Sequence, residues 1–344
     1  MKKFLLFPII MMASIVGFTQ GSIDEKIEEG IALHDKQEYE AAVKKYDEVL
    51  AIDSNHFMAN YEKAFSLSML HKYDQTVAIC EKINRLYPFE PELKNVYVVW
   101  GSALDYMKRP NESIEVYNQG LIEFPDFYLL HFNKAITYAQ MGNEALSLKA
   151  AQEALKKNGL HGSSHNLVGT IMLRQNKVPS LLASLTLLAI EPTTARAANN
   201  LKQVENILIG NVTKGEGNKI NVNIDLNFLD TTKNRPDNFT MAELMHGLGS
   251  ALDHDDKYKF ETKPARLSRK LNDLISTMWE SRKDGKGFFW EFYIPFFRSM
   301  QDNKLVDVYS HIAYASTKDE DNMEWLDKNE AEVERFYGWL KEYF

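Results

Sequence analysis

The stretch that decides the fold runs from Gly30 to Ser54, GIALHDKQEYEAAVKKYDEVLAIDS, and it is answered by AFSLSMLHKYDQTVAICEKINRLYP from Ala64 to Pro88. Superposed, Gly30 meets Ala64, Leu33 meets Leu67, Tyr39 meets Tyr73, Ala42 meets Thr76 and Tyr46 meets Cys80, each pair 34 residues apart. A third unit, GSALDYMKRPNESIEVYNQGLIEFP, carries the pattern through Gly101, Ser113, Tyr117 and Pro125. A fourth carries it through Ala135, Tyr138, Gly142 and Ser147, and a looser fifth through Gly169, Ser180 and Pro192. Self-similarity at such a period is the signature of stacked helical hairpins, each burying its apolar face on the next. The small residues at Gly30, Ala64, Gly101, Ala135 and Gly169 let the first helix of each hairpin approach its partner closely. Tyr46, Cys80 and Tyr117 then fill the space between neighbouring helices.

The period, the small residues where two helices touch, the aromatic on the second helix and the closing proline resemble the tetratricopeptide repeat family, over roughly Ile23 to Pro192. The resemblance implies an all-α solenoid of about five repeats, with the first helices lining a concave groove in which ligands lie. On that geometry the binding residues are Tyr61, Phe65, Asp105, Tyr106, Phe132, Gln140, Asn166 and Arg174. Ile27, Ile31, His34, Ser68, Val98, Ser102, Ile136 and Thr170 share the same face. A subgroup of the family grips C-terminal carboxylates with Lys, Asn and Arg at these places; here they are mostly apolar, so that activity is not implied. An apolar groove receives either a partner's peptide or the chain's own C-terminal half. Three extra residues separate the second and third units, Gly120 and Gly159 stand where the pattern prefers Ala and Pro, and the fifth unit is one residue short. The segment from Thr193, TTARAANNLKQVENILIGN, reads as a helix closing the array.

The first twenty residues, MKKFLLFPIIMMASIVGFTQ, have the layout of a secretory signal peptide: Lys2 and Lys3, an apolar stretch from Phe4 to Val16, then small and polar residues. A periplasmic or envelope-associated location is the expectation, with no stable membrane span once the segment is cleaved. Its removal moves the formal charge from -8 to -10, which argues against nucleic acid as partner. Cys80 is the single cysteine, so an internal disulfide and a multi-Cys metal site are excluded; the repeat register places it inside. The expected organisation is a signal peptide at 1–20, a solenoid with capping helix at 21–210, a linker with an extended segment at 211–237 and a helical domain at 238–344.

Within the linker, Ile220, Val222, Ile224, Leu226 and Phe228 alternate with Asn221, Asn223, Asp225 and Asn227, the two-residue period of a half-buried strand. No second strand of matching quality is legible. The segment either lies extended on the helices or pairs its edge with a strand of a partner or a second copy. A calcium loop would need a glycine at its sixth position and a distal Glu, and apolar residues fill those gaps. Thr240 and Glu243 have capping-box spacing and predict a helix to about Leu252. LDHDDKYKFETKP reads as a loop, and an amphipathic helix follows through Leu267, Leu271, Leu274, Ile275, Met278 and Trp279. In GFFWEFYIPFF, Gly287 to Phe297, the apolar residues cover about 240° of a helical wheel, which predicts a helix enclosed by neighbours and kinked at Pro295. A helix around LVDVYSHIAYAS and one final helix, NMEWLDKNEAEVERFYGWLKEYF, complete the chain.

Catalytic and metal chemistry find little support. No HExxH, G-x-S-x-G, phosphate loop or dinucleotide fingerprint is present. His246 and His254, near Asp253, Asp255 and Asp256, lie eight residues apart, about 80° around a helix and too oblique to share an ion; the acids read as solvated. His161 and His165 read as packing residues. Glu243, His246 and Glu291 are the least poor acid–base candidates for a hydrolase in the C-terminal half. The functional expectation is a protein-binding scaffold or adaptor without catalysis or cofactor. The alternatives are a peptide- or glycan-binding accessory of an envelope assembly or export machine, and a cryptic hydrolase. If the edge at 220–228 pairs with a partner, its amides will exchange slowly with deuterium in the complex; rapid exchange in every complex tested removes that reading.

Overall fold

The computed structural model describes residues 10–209, 212–214, 220–222, 239, 242–244, 253, 255–283 and 285–344. They fold as helical hairpins and divide into two compact units, Met1–Ser147 and Leu148–Phe344. The division falls inside the repeat array, whereas the composition change expected at 211–237 lies largely outside the described residues.

In the first unit, α1 (Ile10–Asp35) and α2 (Tyr39–Leu50), α3 (Phe57–Met69) and α4 (Tyr73–Leu86), and α5 (Leu93–Tyr106) and α6 (Pro110–Glu123) are successive hairpins, followed by α7 (Tyr128–Gln140). α8 (Glu144–Lys157) contains the division. First helices neighbour one another along one side: α3 touches α1 and α5, and α5 touches α7. The three extra residues between the second and third units enter helix rather than loop, since α4 has 14 residues where α2 has 12, and α5 starts earlier relative to Gly101 than α3 does to Ala64. The turns inside the hairpins place Gln37, His71, Lys108 and Gly142 at positive φ, one equivalent position in four repeats and glycine only in the last.

The contact inside each hairpin is tight. A Cβ added at Gly30 would lie 2.4 Å from Cε1 of Tyr46, and one at Gly101 would lie 2.3 Å from Cε1 of Tyr117. Both tyrosines are buried at 0% and 1% exposure, so their rings have no room to withdraw. Where the first helix carries Ala64 instead, the partner is the smaller Cys80, also wholly buried, and burial raises its thiol pKa out of the reactive range. A hydroxyl then seals the same junction from the second helix: Thr76 Oγ1 donates to the Ala64 carbonyl at 3.2 Å, and Ser147 Oγ to the Ala135 carbonyl at 2.8 Å. The departures at Gly120 and Gly159 serve packing too. A Cβ at Gly120 would meet Tyr97 and Leu130 at 2.9 Å, and one at Gly159, in the second unit, would meet the Phe344 ring at 2.0 Å.

The second unit contains α9 (Gly162–Met172), α10 (Lys177–Ile190), α11 (Ala195–Ile209), α12 (Lys263–Ser281), α13 (Phe288–Asp302), α14 (Val306–Ala313), α15 (Glu320–Lys328) and α16 (Glu330–Tyr343). Ser180 Oγ donates to the Gly169 carbonyl at 2.7 Å, the hydroxyl seal again, one residue closer in sequence because the unit is shorter. α11 forms as expected, but it does not cover α10 alone. Every residue of α10 from Val178 to Ala189 is buried, because α9 and α11 flank it while α13 and α14 also pack on it. Tyr309 of α14 donates to the Leu185 carbonyl at 2.7 Å.

The aromatic segment is the enclosed helix its wheel predicts: Phe289, Trp290, Tyr293, Ile294, Phe296 and Phe297 of α13 are buried, with Pro295 inside the helix. Phe292 is half-buried and Glu291 exposed. Four expectations need correction. The extended segment is not a lone strand: β1 (Val212–Lys214) pairs antiparallel with β2 (Ile220–Val222), Val212 opposite Val222, and β1 is too short to show alternation in sequence. Residues 223–228 lie outside the described residues, as does most of the helix expected from Thr240 to Leu252, of which 242–244 are helical. The loop before α12 contains a 3-10 turn, Asp256–Tyr258, capped by Asp255. The final helix is two: the backbone leaves helical geometry at Asn329, whose side-chain Nδ2 donates to the Trp325 carbonyl at 2.8 Å beside its own backbone N–H at 3.1 Å. Asp253 is not solvated: it pairs with Arg269 at 2.8 Å and with Lys270 at 2.7 Å. Burial pushes its carboxyl pKa up, and the hydrogen bonds from Arg269 and Lys270 together bring it below the usual value.

Gly101→Ala is expected to lose about 1–3 kcal/mol of stability in urea unfolding through overpacking against Tyr117. In a double-mutant cycle with Tyr117→Cys, the pairing found at Ala64 and Cys80, the two changes should offset each other by more than about 1 kcal/mol.

Candidate first-helix binding face

In the first unit the expected binding residues separate by their depth along the helix. Positions early in each first helix pack inward: Ile27 is buried with Ile23 against Val49 and Ala59, while Tyr61 and Val98 pack against the core around Val96 and Tyr97. Burial, then Glu62, raises the Tyr61 hydroxyl pKa to about 12. One turn beyond Tyr61 and two turns beyond Val98, side chains reach the surface. Phe65 is 36% exposed and Tyr106 is 62% exposed.

Each of these two rings is held by a second aromatic. His34 stacks on Phe65 with centroids 4.6 Å apart, meets Tyr39 edge-on at 5.0 Å, and is fixed by a 2.7 Å hydrogen bond between its Nδ1 and Ser66 Oγ. Tyr73 stacks on Tyr106 at 5.1 Å with 10° between planes, and its hydroxyl bonds His71 Nδ1 at 2.6 Å. Tyr39 and Tyr73 open the second helices, so a reading confined to first helices misses them. The signal was their 34-residue spacing. Met69, 43% exposed, lies one turn beyond Phe65.

Acids border these rings. Burial raises the pKa of Glu62, with Asp35 adding to the effect, and burial also raises that of Asp105 against a hydrogen bond with Thr137 and the charge of Lys108. Burial lowers the His34 pKa, so that ring favours its neutral form. Phe132 is half-buried on α7 and Gln140 exposed at its end.

The second unit treats its two expected residues differently. Asn166 Oδ1 accepts from Asn200 Nδ2 of α11 at 2.9 Å, and Arg174 lies in the turn after Met172, beyond the helix expected to carry it. His165 is wholly buried between α9 and α13. Its Nε2 donates to the Gly159 carbonyl at 2.9 Å, since a carbonyl only accepts, and its Nδ1 therefore accepts from the Tyr293 hydroxyl at 2.9 Å. His246 and His254 lie outside the described residues. Among the described residues no group of three or more His, Cys, Asp or Glu side chains is placed to hold a metal, and no helix is long and apolar enough to cross a membrane.

The geometry defines an array of helical hairpins in which Phe65 and Tyr106, each stacked on a second ring, are exposed. No family model matches the chain. The Hsp70-Hsp90 organising protein of Plasmodium falciparum (isolate 3D7) is 30% identical over 104 residues, a match covering 29% of this chain and only 18% of that relative. Similar solved structures include PilF of Pseudomonas aeruginosa, 15% identical over 55% of this chain and 85% of that one with a TM-score of 0.48. A thermophilic TPR protein of Thermus thermophilus is 14% identical over 53% of this chain and 98% of its own, with a TM-score of 0.45.

Burial holds the His165 pKa down to about 4, against the ordinary 6.5. The unfolded chain therefore binds the proton first as pH falls, and stability present above about pH 6.5 is lost progressively toward about pH 4, by about 3 kcal/mol at most. Urea unfolding at about pH 7.5 and about pH 4.5 should show that loss, and His165→Gln should flatten it.

Proposed function

We propose that the protein is a non-catalytic scaffold or adaptor, exported to the periplasm or envelope, that binds a segment of a partner protein on its first-helix face. The observation that carries this reading is the pairing of exposed Phe65 and Tyr106 with stacked partners His34 and Tyr73. Ring stacking presets the orientation of large apolar side chains that remain open to solvent, so little side-chain entropy is lost when a ligand docks. Aromatic anchors of this kind concentrate binding energy. The neighbouring acids, Glu62 and Asp105, favour a segment with apolar side chains flanked by basic or hydrogen-bond-donating groups. Export rests on the layout of residues 1–20.

The chaperones in the name of the Plasmodium relative are not carried over as partners, because the match spans only 18% of that protein. Phe65→Ser with Tyr106→Ser should keep the fold at some cost in stability, since Phe65 is 36% exposed and Tyr106 62%, and should weaken partner capture from the native envelope at least about tenfold. Unchanged capture by the folded variant removes the face as the site.

A further inference from the structure

The second unit holds a cavity of about 480 Å³, in the size range of small-ligand sites, where the start of α12 faces the corner between α14 and α15. Pro264, Tyr314 and Trp325 supply apolar wall, and His311, Asp319 and Asp321 supply polar groups. Trp325 is not loose: its indole stacks on the His311 ring with centroids 3.6 Å apart and planes 5° apart. The His311 ring is oriented in turn. Asn322, 6% exposed, donates from Nδ2 to the His311 carbonyl at 3.1 Å, which turns its Oδ1 toward His311 Nδ1 at 2.7 Å. Nδ1 is therefore the protonated nitrogen, and in the neutral ring Nε2 keeps its lone pair, with no hydrogen-bond partner among the described residues.

Charge in the cavity wall is unbalanced. Lys263, its one cation among the described residues, pairs with Glu205 at 3.0 Å, and Glu205 also accepts from the Tyr314 hydroxyl at 3.0 Å. Arg266, on the same helix, faces Glu261 at 3.7 Å. Asp319 accepts only from the Asn322 backbone N–H among the described residues, at 3.1 Å, as the cap of α15, and Asp321 is exposed with no ion pair among them. Two carboxylates and an imidazole acceptor thus line a cavity with a rigid aromatic wall.

We propose that this cavity binds an alkylguanidinium, with its stem against Trp325, Tyr314 and Pro264, its N–H fork reaching His311 Nε2, and its charge facing Asp319 and Asp321. A planar cation with five donors suits several acceptors beside aromatic walls better than the compact, strongly hydrated head of a primary ammonium. The same chemistry is carried by a small guanidino compound or by an arginine side chain of a peptide. The site is independent of the first-helix face, so neither reading depends on the other.

The test titrates the full chain with arginine amide and with acetyl-Gly-Arg-Gly-amide, using the citrulline counterparts as neutral isosteres, and follows tryptophan fluorescence and calorimetry. The expected Kd for the arginine ligands lies on the order of 10 µM to 1 mM, with citrulline at least about tenfold weaker. Asp321→Asn, at an exposed position, should keep the fold and weaken arginine binding about three- to tenfold, and Trp325→Leu should weaken it further. Tighter binding of the peptide than of arginine amide assigns the site to a peptide side chain; equal binding assigns it to a free small molecule. Equal affinity for arginine and citrulline, binding unchanged in Asp321→Asn, or no binding up to about 10 mM overturns the proposal.

Discussion

Between Gly101 and the ring of Tyr117 there is no space for a methyl group, and the same holds between Gly30 and Tyr46. That exclusion sets how closely the two helices of a hairpin pack, and with it the rotation of each first helix about its axis. Ile27, Tyr61 and Val98 face inward because the small residue that follows them is pressed onto a large buried ring or its local substitute. The same rotation carries Phe65 to the surface one turn after Tyr61, and Tyr106 two turns after Val98. The recurring hydroxyl bonds, from Thr76, Ser147 and Ser180 to first-helix carbonyls, lock the junction against sliding while satisfying the polar group each hydroxyl would otherwise bury.

The second unit is built around a different constraint, the bulk of a helix that is aromatic on most of its circumference. α13 must be enclosed, and α10, apolar along its length, must be enclosed as well. Their packing with α9 and α14 meets both needs. Several polar groups inside this core find partners. Tyr293 and His165 bond each other, His165 reaches the Gly159 carbonyl, and Tyr309 reaches Leu185. The same economy appears at Lys270, which is buried yet held between Asp253 and the Leu208 carbonyl at 2.9 Å.

These two constraints leave different surfaces open. In the first unit, large rings remain exposed beside carboxylates in partly buried settings, a surface suited to protein segments. In the second, the break at Asn329 and the cap at Asp319 set α15 apart as a short helix, and its Trp325 meets His311 to form a stiff cavity wall. Neither surface contains the converging nucleophile, base and oxyanion donors of a hydrolase among the described residues.

The repeats were legible because the period, the small residues and the aromatics are local facts that every hairpin repeats. Periodicity likewise located α12 and α13 and the enclosure of α13. What the sequence could not determine depends on partners distant along the chain. The ion pairs of Asp253, the burial of His165 against Tyr293, 128 residues away, and the ring stacks on Phe65 and Tyr106 all join positions with no common period, whereas β1 and β2 pair locally and β1 is too short to alternate. The split of the last helix turned on the non-helical backbone of the single residue Asn329. Sequence by itself determined the hairpins and which faces are apolar, since helix periodicity is written residue by residue. Which of those faces stay open, and which polar groups meet there, only the tertiary structure decided, because exposure belongs to the packing of several elements and to none of them alone.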